Sequence, residues 1–179
     1  MTPDSSPHTP LISVVTAAFN ALEGLRRTVE SVAGQDFRSV EHVVVDGGSV
    51  DGTREYLESL GDTVRWISEP DDGIADALNK GIAMARGEYV LVLQAEDTFV
   101  DGGSLGRAAT HLANSQDIVA FEVLLDHGNG SGDRLKTRKL SVLTECKMTN
   151  PHQGLFCRRN LYQRIGVFDR TYRIAMDYE

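Results

Sequence analysis

Cysteine is scarce in this chain: only Cys146 and Cys157 occur in 179 residues. They are too far apart for a CxxC metal site, and a single pair is no disulfide framework. Both are expected to be reduced thiols, as in a cytoplasmic protein. Positive charge is also in deficit, with 18 Lys and Arg against 26 Asp and Glu and a formal net charge of −8. That balance excludes the basic footprint of a nucleic-acid-binding protein. No apolar run approaches the ~20 residues of a membrane span. Residues Met1 to Pro10 are rich in Pro, Ser and Thr and lack an apolar stretch, so they do not read as a signal peptide. A disordered leader is expected there, followed by one domain over residues 11–179. The length suffices to bury a core without disulfides or metal staples.

What the chain does have is alternation. Leu11 to Ala18 is a β-branched run after a proline, the mark of a buried strand. Ala21 to Ala33 carries Leu22, Leu25, Val29 and Val32 at helical spacing, with Asn20 placed to cap it and Gly34 to end it. Strands are expected at Glu41 to Val45, Val64 to Ser68 and Glu88 to Leu93, with helices at Arg54 to Leu60 and Gly73 to Ala85. Later come a helix over Asp101 to Asn114, a strand over Asp117 to Leu125 and a flexible loop over Asp126 to Asp133. Lys136 to Lys139 is a basic patch, Asn150 to Arg158 a loop running into a strand, and Leu161 to Ile165 a short helix. Strand–helix order of this kind predicts an α/β fold with a mainly parallel central sheet and right-handed crossovers.

In such sheets ligands bind beyond the carboxyl ends of the strands. The first strand ends in Thr16-Ala-Ala-Phe-Asn, the second in Asp46-Gly-Gly-Ser, the third in Glu69-Pro-Asp-Asp-Gly and the fourth in Gln94-Ala-Glu-Asp. Three of the four ends are acidic. Carboxylates gathered on one rim repel unless a cation or donor groups compensate them. Hard oxygen ligands favour Mg²⁺ or Mn²⁺, and such a cation holds a diphosphate. An acidic chain can therefore still take a phosphate-bearing ligand. The residues alone point to metal-assisted transfer from a nucleotide diphosphate ester.

The runs SVVTAAFN, VVVDGGSVDGT and EPDDGIADALNKGIAMARGEYVLVLQAED, with NPHQGLFCRR and IGVFDRTYRIAMDYE after them, resemble the family-2 inverting glycosyltransferases of the GT-A fold. The resemblance covers residues 11–179 with the motifs in the family's order. It implies that Thr16, Ala18, Phe19 and Asn20 cradle the nucleotide base, with Phe19 either against the base or in the core. It implies that Asp46 accepts a hydrogen bond from a ring N–H of uracil or thymine, while Ser49 and Asp51 cap the next helix. Asp72, Gly73 and Asp76 border the donor sugar and ribose, or simply start a helix. Lys80 either approaches the diphosphate or is a surface lysine. Gln94, Ala95 and Glu96 complete the donor site and Asp97 holds the metal, in the position the family fills with DxD or NADD. Gln94 and Glu96 depart from that pattern, which puts metal preference and donor fit in question. His152 either contacts acceptor, phosphate or metal, or is a structural hydrogen bonder. Asp177 is the implied general base, with helix capping as its alternative role.

The implied activity is inverting transfer from a UDP- or dTDP-sugar to a saccharide or lipid-linked acceptor in cell-surface polysaccharide or glycolipid synthesis. The implied location is cytoplasmic or peripheral at the inner membrane face. Members of the family continue past the catalytic carboxylate, so a C-terminally truncated domain is expected. One rival is a nucleotidyltransferase, which normally carries a Gly-rich basic loop where this chain has TAAFNALEG. A degenerate, non-catalytic nucleotide-sugar binder is another, supported only by the altered QAED. A dehydrogenase is excluded because no GxGxxG follows the first strand.

Overall fold

The computed structural model describes residues 9–112, 116–128, 131–137 and 151–171. β-branched runs form the parallel core: β1 (Ile12–Ala18), β2 (Val40–Asp46), β3 (Arg65–Ser68) and β4 (Tyr89–Val92). Helices α1 (Leu22–Ala33), α2 (Thr53–Ser59) and α3 (Ile74–Met84) connect them. β1 pairs in parallel with both β2 and β4, and β2 with β3. The central strands read as nearly continuous apolar runs because both of their faces are covered: Val14, Val15, Val43, Val44, Val90 and Leu91 are fully buried. Each such side chain contributes ~1.5–3 kcal/mol by leaving water.

The second half completes the sheet. After α4 (Ser104–Leu112), β5 (Ile118–Ala120) forms the edge. Next, β6 (Val123–Asp126) and β7 (Gly132–Leu135) make a separate antiparallel hairpin. Finally β8 (Leu155–Arg158) inserts antiparallel between β4 and β5 and leads into α5 (Arg159–Ile165), giving the order β3-β2-β1-β4-β8-β5.

Three local expectations are corrected. The single strand over Asp117 to Leu125 is broken, because Phe121 turns into the core. Its ring meets Phe156 at 5.3 Å and His111 at 5.8 Å, edge-on in both cases. Its N–H donates to the Gly154 carbonyl (2.9 Å), and the chain then leaves the main sheet. Of the loop expected over Asp126 to Asp133, Asp126 closes β6 and Gly132 and Asp133 open β7. Asn20 does not cap α1. It sits at φ 50, and its Oδ1 accepts from the Val50 N–H (3.0 Å) instead. The cap comes from the neighbouring loop, where Asp51 accepts from the Leu22 N–H (2.9 Å) and from the Thr53 N–H (3.1 Å), serving α1 and α2 together.

β1 and β2 meet over a buried polar pair. Thr16 donates its one hydroxyl proton to the Leu93 carbonyl (2.7 Å), so it accepts from His42 Nε2 (3.0 Å). That fixes the ring tautomer and leaves His42 Nδ1 without a partner among the described residues. Burial disfavours the cation and lowers the His42 pKa from 6.5 to about 4. An unfolded chain takes up this proton as pH falls through 6.5, whereas the folded one resists until about 4. The stability is complete above pH 6.5 and is lost on descending to pH 4, by about 3 kcal/mol. Denaturant titrations of wild type and His42→Leu across pH 7 to 4 should converge as pH falls; parallel curves would remove His42 from the acid sensitivity.

Candidate active site

The carboxyl ends of β1 to β4 share one rim, and the loops beyond them are laced together. The Asn20 N–H donates to Ser49 Oγ (2.7 Å), and the Ser49 N–H and hydroxyl donate to Asp46. Register sets Ala18 beside Asp46, and Gly47 N–H bonds the Ala18 carbonyl (2.9 Å). Asp46 is wholly buried, with Ser68 Oγ donating at 2.7 Å to Oδ2, the oxygen that also receives the Ser49 N–H. Its carboxylate thus already receives three protein donor groups, out of roughly four acceptor sites. Thr16, equally buried, has its hydroxyl committed to Leu93 and His42.

Phe19 stands out on the rim, 65% exposed, so the core alternative for it does not hold. Gly47 explains how its ring lies. A Cβ there would sit 2.6 Å from Asp71 Oδ2 and 3.3 Å from Phe19 Cδ2, so the missing side chain leaves room for the Phe19 ring and an Asp71 carboxylate oxygen beside the Gly47 backbone. Asp71 escaped the sequence reading. Its other oxygen accepts from the Gly73 N–H (2.8 Å), which steadies the turn into α3.

Beyond β3, Glu69, Asp72 and Asp76 are paired with cations of the protein itself. Asp72 pairs with Arg170, and Asp76 receives the Asp72 N–H (3.2 Å), Lys80 (3.3 Å) and Arg170 (3.3 Å). The Asp72 amide first, then Lys80 and Arg170, holds the Asp76 carboxyl below its ordinary pKa. Lys80 also reaches Glu69 (2.8 Å) and the Pro70 carbonyl (3.1 Å), so it braces the loop after β3. Gly73, at φ 110, opens α3 in a backbone state other residues resist.

Beyond β4 the balance differs. Glu96 is exposed and takes φ 91; with Asn20 it is one of two non-glycine residues at positive φ among the described residues, both on this rim. Its side chain crosses α1 at Gly24, where a Cβ would lie 2.3 Å from Glu96 Cγ, and Arg27 stands 4.0 Å from its carboxylate. Ala95 packs on the core cluster under α1. Asp97 is half-buried, and among the described residues its carboxylate has no hydrogen bond or ion pair. Among the described residues it is the one rim acid without a protein partner. The same loop is tied down by Thr28, which no motif in the chain singles out. Its hydroxyl accepts the Glu96 N–H (3.0 Å) and faces the Asp97 carbonyl (2.9 Å). Thr28→Val should lower stability by ~1–2 kcal/mol and weaken donor affinity several-fold, read by calorimetric titration; unchanged affinity would detach Thr28 from the site.

His152 reaches the rim because β8 runs antiparallel beside β4. Gln94 Nε2 lies 3.1 Å from His152 Nε2, a contact satisfied when the amide donates to a bare ring nitrogen. Asp177, the implied base, lies outside the described residues. Among the described residues, no three His, Cys, Asp or Glu side chains form a metal cage. An open carboxylate with an exposed acid beside it still suits a divalent ion that takes its other ligands from substrate phosphates and water.

The sequence profile of glycosyl transferase family 2 matches residues 13–176, and the chain belongs to that family. It is 36% identical over 176 residues to an uncharacterised glycosyltransferase of Mycobacterium tuberculosis, covering 95% of this chain and 67% of that protein. It is 29% identical over 180 residues to a PGL/p-HBAD biosynthesis glycosyltransferase of Mycobacterium bovis, covering 95% and 68%. Among solved structures it resembles S. aureus TarS, with TM-score 0.74 at 21% identity over 93% of this chain and 32% of TarS. It also resembles the mannosyltransferase PcManGT from Pyrobaculum calidifontis, solved with GDP-Man and Mn²⁺, with TM-score 0.67 at 22% identity over 92% and 49%. These likenesses show the fold, a single mainly parallel α/β sheet of GT-A type. The chain spans about two thirds of these curated relatives and a third to a half of these solved chains. Among the described residues, no helix is long and apolar enough to cross a membrane.

Proposed function

We propose that this domain transfers a sugar, with inversion, from a UDP- or dTDP-sugar to a hydroxyl of a saccharide or lipid-linked acceptor. The observation that carries the reading is the Asp97 carboxylate, unpaired among the described residues, on a rim where Asp46, Asp72 and Asp76 are already engaged by the protein. An uncompensated carboxylate at a strand end is where a cation-bound diphosphate fits. Mg²⁺ or Mn²⁺ held by Asp97 would supply charge neutralisation to the leaving diphosphate.

The remaining roles belong to the chain's own groups. Phe19 offers a stacking face to the base. The Asp71 oxygen beside it is an acceptor for a ring N–H, and Asp46 fixes the loop that places both. Gly73 and Asp76 border the sugar and ribose, while Glu96 reaches a ribose hydroxyl or a metal-bound water. Gln94 orients His152 toward the acceptor side. Asp177 takes the proton from the attacking hydroxyl on the face opposite the diphosphate. The mycobacterial relative named for PGL/p-HBAD biosynthesis supports a biosynthetic glycosyl transfer.

A thermal-shift screen of nucleotide sugars with and without Mn²⁺ tests the reading. A ligand bound only by the folded state raises the melting temperature. UDP- or dTDP-sugars should do so in a metal-dependent way. A rise with none of them, or an equal rise without metal, would count against it.

A further inference from the structure

At the opposite end of the sheet from the rim, a groove of about 1170 Å³ opens where the parallel strands begin. Its wall includes Arg38 before β2, Arg65 at the start of β3, Arg86 before β4 and Arg159 at the start of α5, directly after β8. Two carboxylates line it with these four arginines, Glu41 and Asp62. The chain as a whole carries a net charge of −8, so this positive surplus runs against its composition.

The pairing pattern sharpens the contrast. Among the described residues, every arginine outside the groove has a carboxylate within 4.0 Å. Arg38, Arg86 and Arg159 have none, and all three line the groove. Glu41 cannot neutralise them, because its oxygens are taken by Arg65 Nη1 (3.1 Å), the Ser13 hydroxyl (2.5 Å) and the Arg86 N–H (2.6 Å). Arg159 spends its Nε on the Gly87 carbonyl (2.9 Å), which fixes the side chain and leaves its terminal nitrogens for another acceptor.

We infer that this groove is a second binding site, for a phosphate-bearing anion, separate from the donor rim. Guanidinium groups recognise phosphate through paired N–H donors, and several uncompensated ones converging on one concavity are suited to a polyanionic group. The groove is roomy enough for a phosphorylated small molecule or a phospholipid headgroup; the shared chemistry is the phosphate.

Inorganic pyrophosphate, titrated in EDTA and followed by calorimetry, tests the inference on wild type, Arg38→Gln/Arg86→Gln and Asp97→Ala. Among the described residues neither replaced arginine side chain has a partner, so the double variant should melt with wild type. Wild type and Asp97→Ala should bind alike, and the double variant at least tenfold more weakly. Vesicles of phosphatidylcholine with and without phosphatidylglycerol identify the source. Flotation with the anionic vesicles alone, lost in the double variant, assigns a lipid headgroup; pyrophosphate binding without flotation assigns a soluble phosphate ester. Equal pyrophosphate affinity in wild type and double variant, or no binding to either probe, overturns the inference.

Discussion

Asp97→Ala is expected to cut metal-dependent turnover of a UDP- or dTDP-sugar by roughly two to three orders of magnitude, the range seen when one electrostatic stabiliser of a transition state is removed. The fold should hardly notice. Among the described residues the Asp97 side chain bonds nothing, so its removal leaves no donor stranded. The loop keeps its shape through backbone groups, since Thr28 bonds the Asp97 carbonyl and the Glu96 N–H rather than the carboxylate. Steady-state rates against Mn²⁺ concentration, with a melting curve for each protein, separate the two effects. A variant that melts normally and turns over normally would take the metal role away from Asp97.

Asp46→Ala is expected to do the reverse, striking stability first. The carboxylate is wholly buried and receives the Ser49 N–H, the Ser49 hydroxyl and the Ser68 hydroxyl. Hydrogen bonds to a charged group contribute ~1.5–3 kcal/mol, and their loss leaves buried donors unsatisfied. A cost of about 3 kcal/mol follows, lowering the melting temperature by roughly 6–12 °C in a chain of this size. Ser49 also anchors Asn20, so the loop carrying Phe19 should loosen and donor affinity should fall with stability. Chemical denaturation with a nucleotide titration reads both. A loss of affinity at unchanged stability would instead make Asp46 a direct contact to the base.

The strand and helix order of the first half was legible because apolar period and turn residues agreed at each boundary, from Ile12 through Val92. Matters decided by distant partners were not. Nothing local in Asp117 to Leu125 reveals that Phe121 turns inward onto Phe156, so the strand break was invisible. The meeting of Gln94 with His152 depends on β8 inserting beside β4, a pairing between segments far apart in the chain. Thr28 looked like helix filler, and Asp71 like one more acid in a turn; only the placement of Gly47 and the loop after β4 gives them roles. Asn20 carried a good capping residue type, yet Asp51 occupies the cap from across the rim. For the acids, type and position were readable, but which of them the protein itself neutralises was not. That distinction came from Arg170 and Lys80, and it singles out Asp97.

Phosphorus and proton NMR of the domain incubated with UDP- and dTDP-sugars, an acceptor extract and Mn²⁺, read for released phosphates and for the anomeric proton of the product, tests the chemistry most directly. The expected result is free nucleoside diphosphate, formed only with the divalent ion and with wild-type Asp97, alongside a transferred sugar of inverted anomeric configuration. Release of pyrophosphate instead, or nucleoside diphosphate formed equally without the ion and by Asp97→Ala, contradicts it.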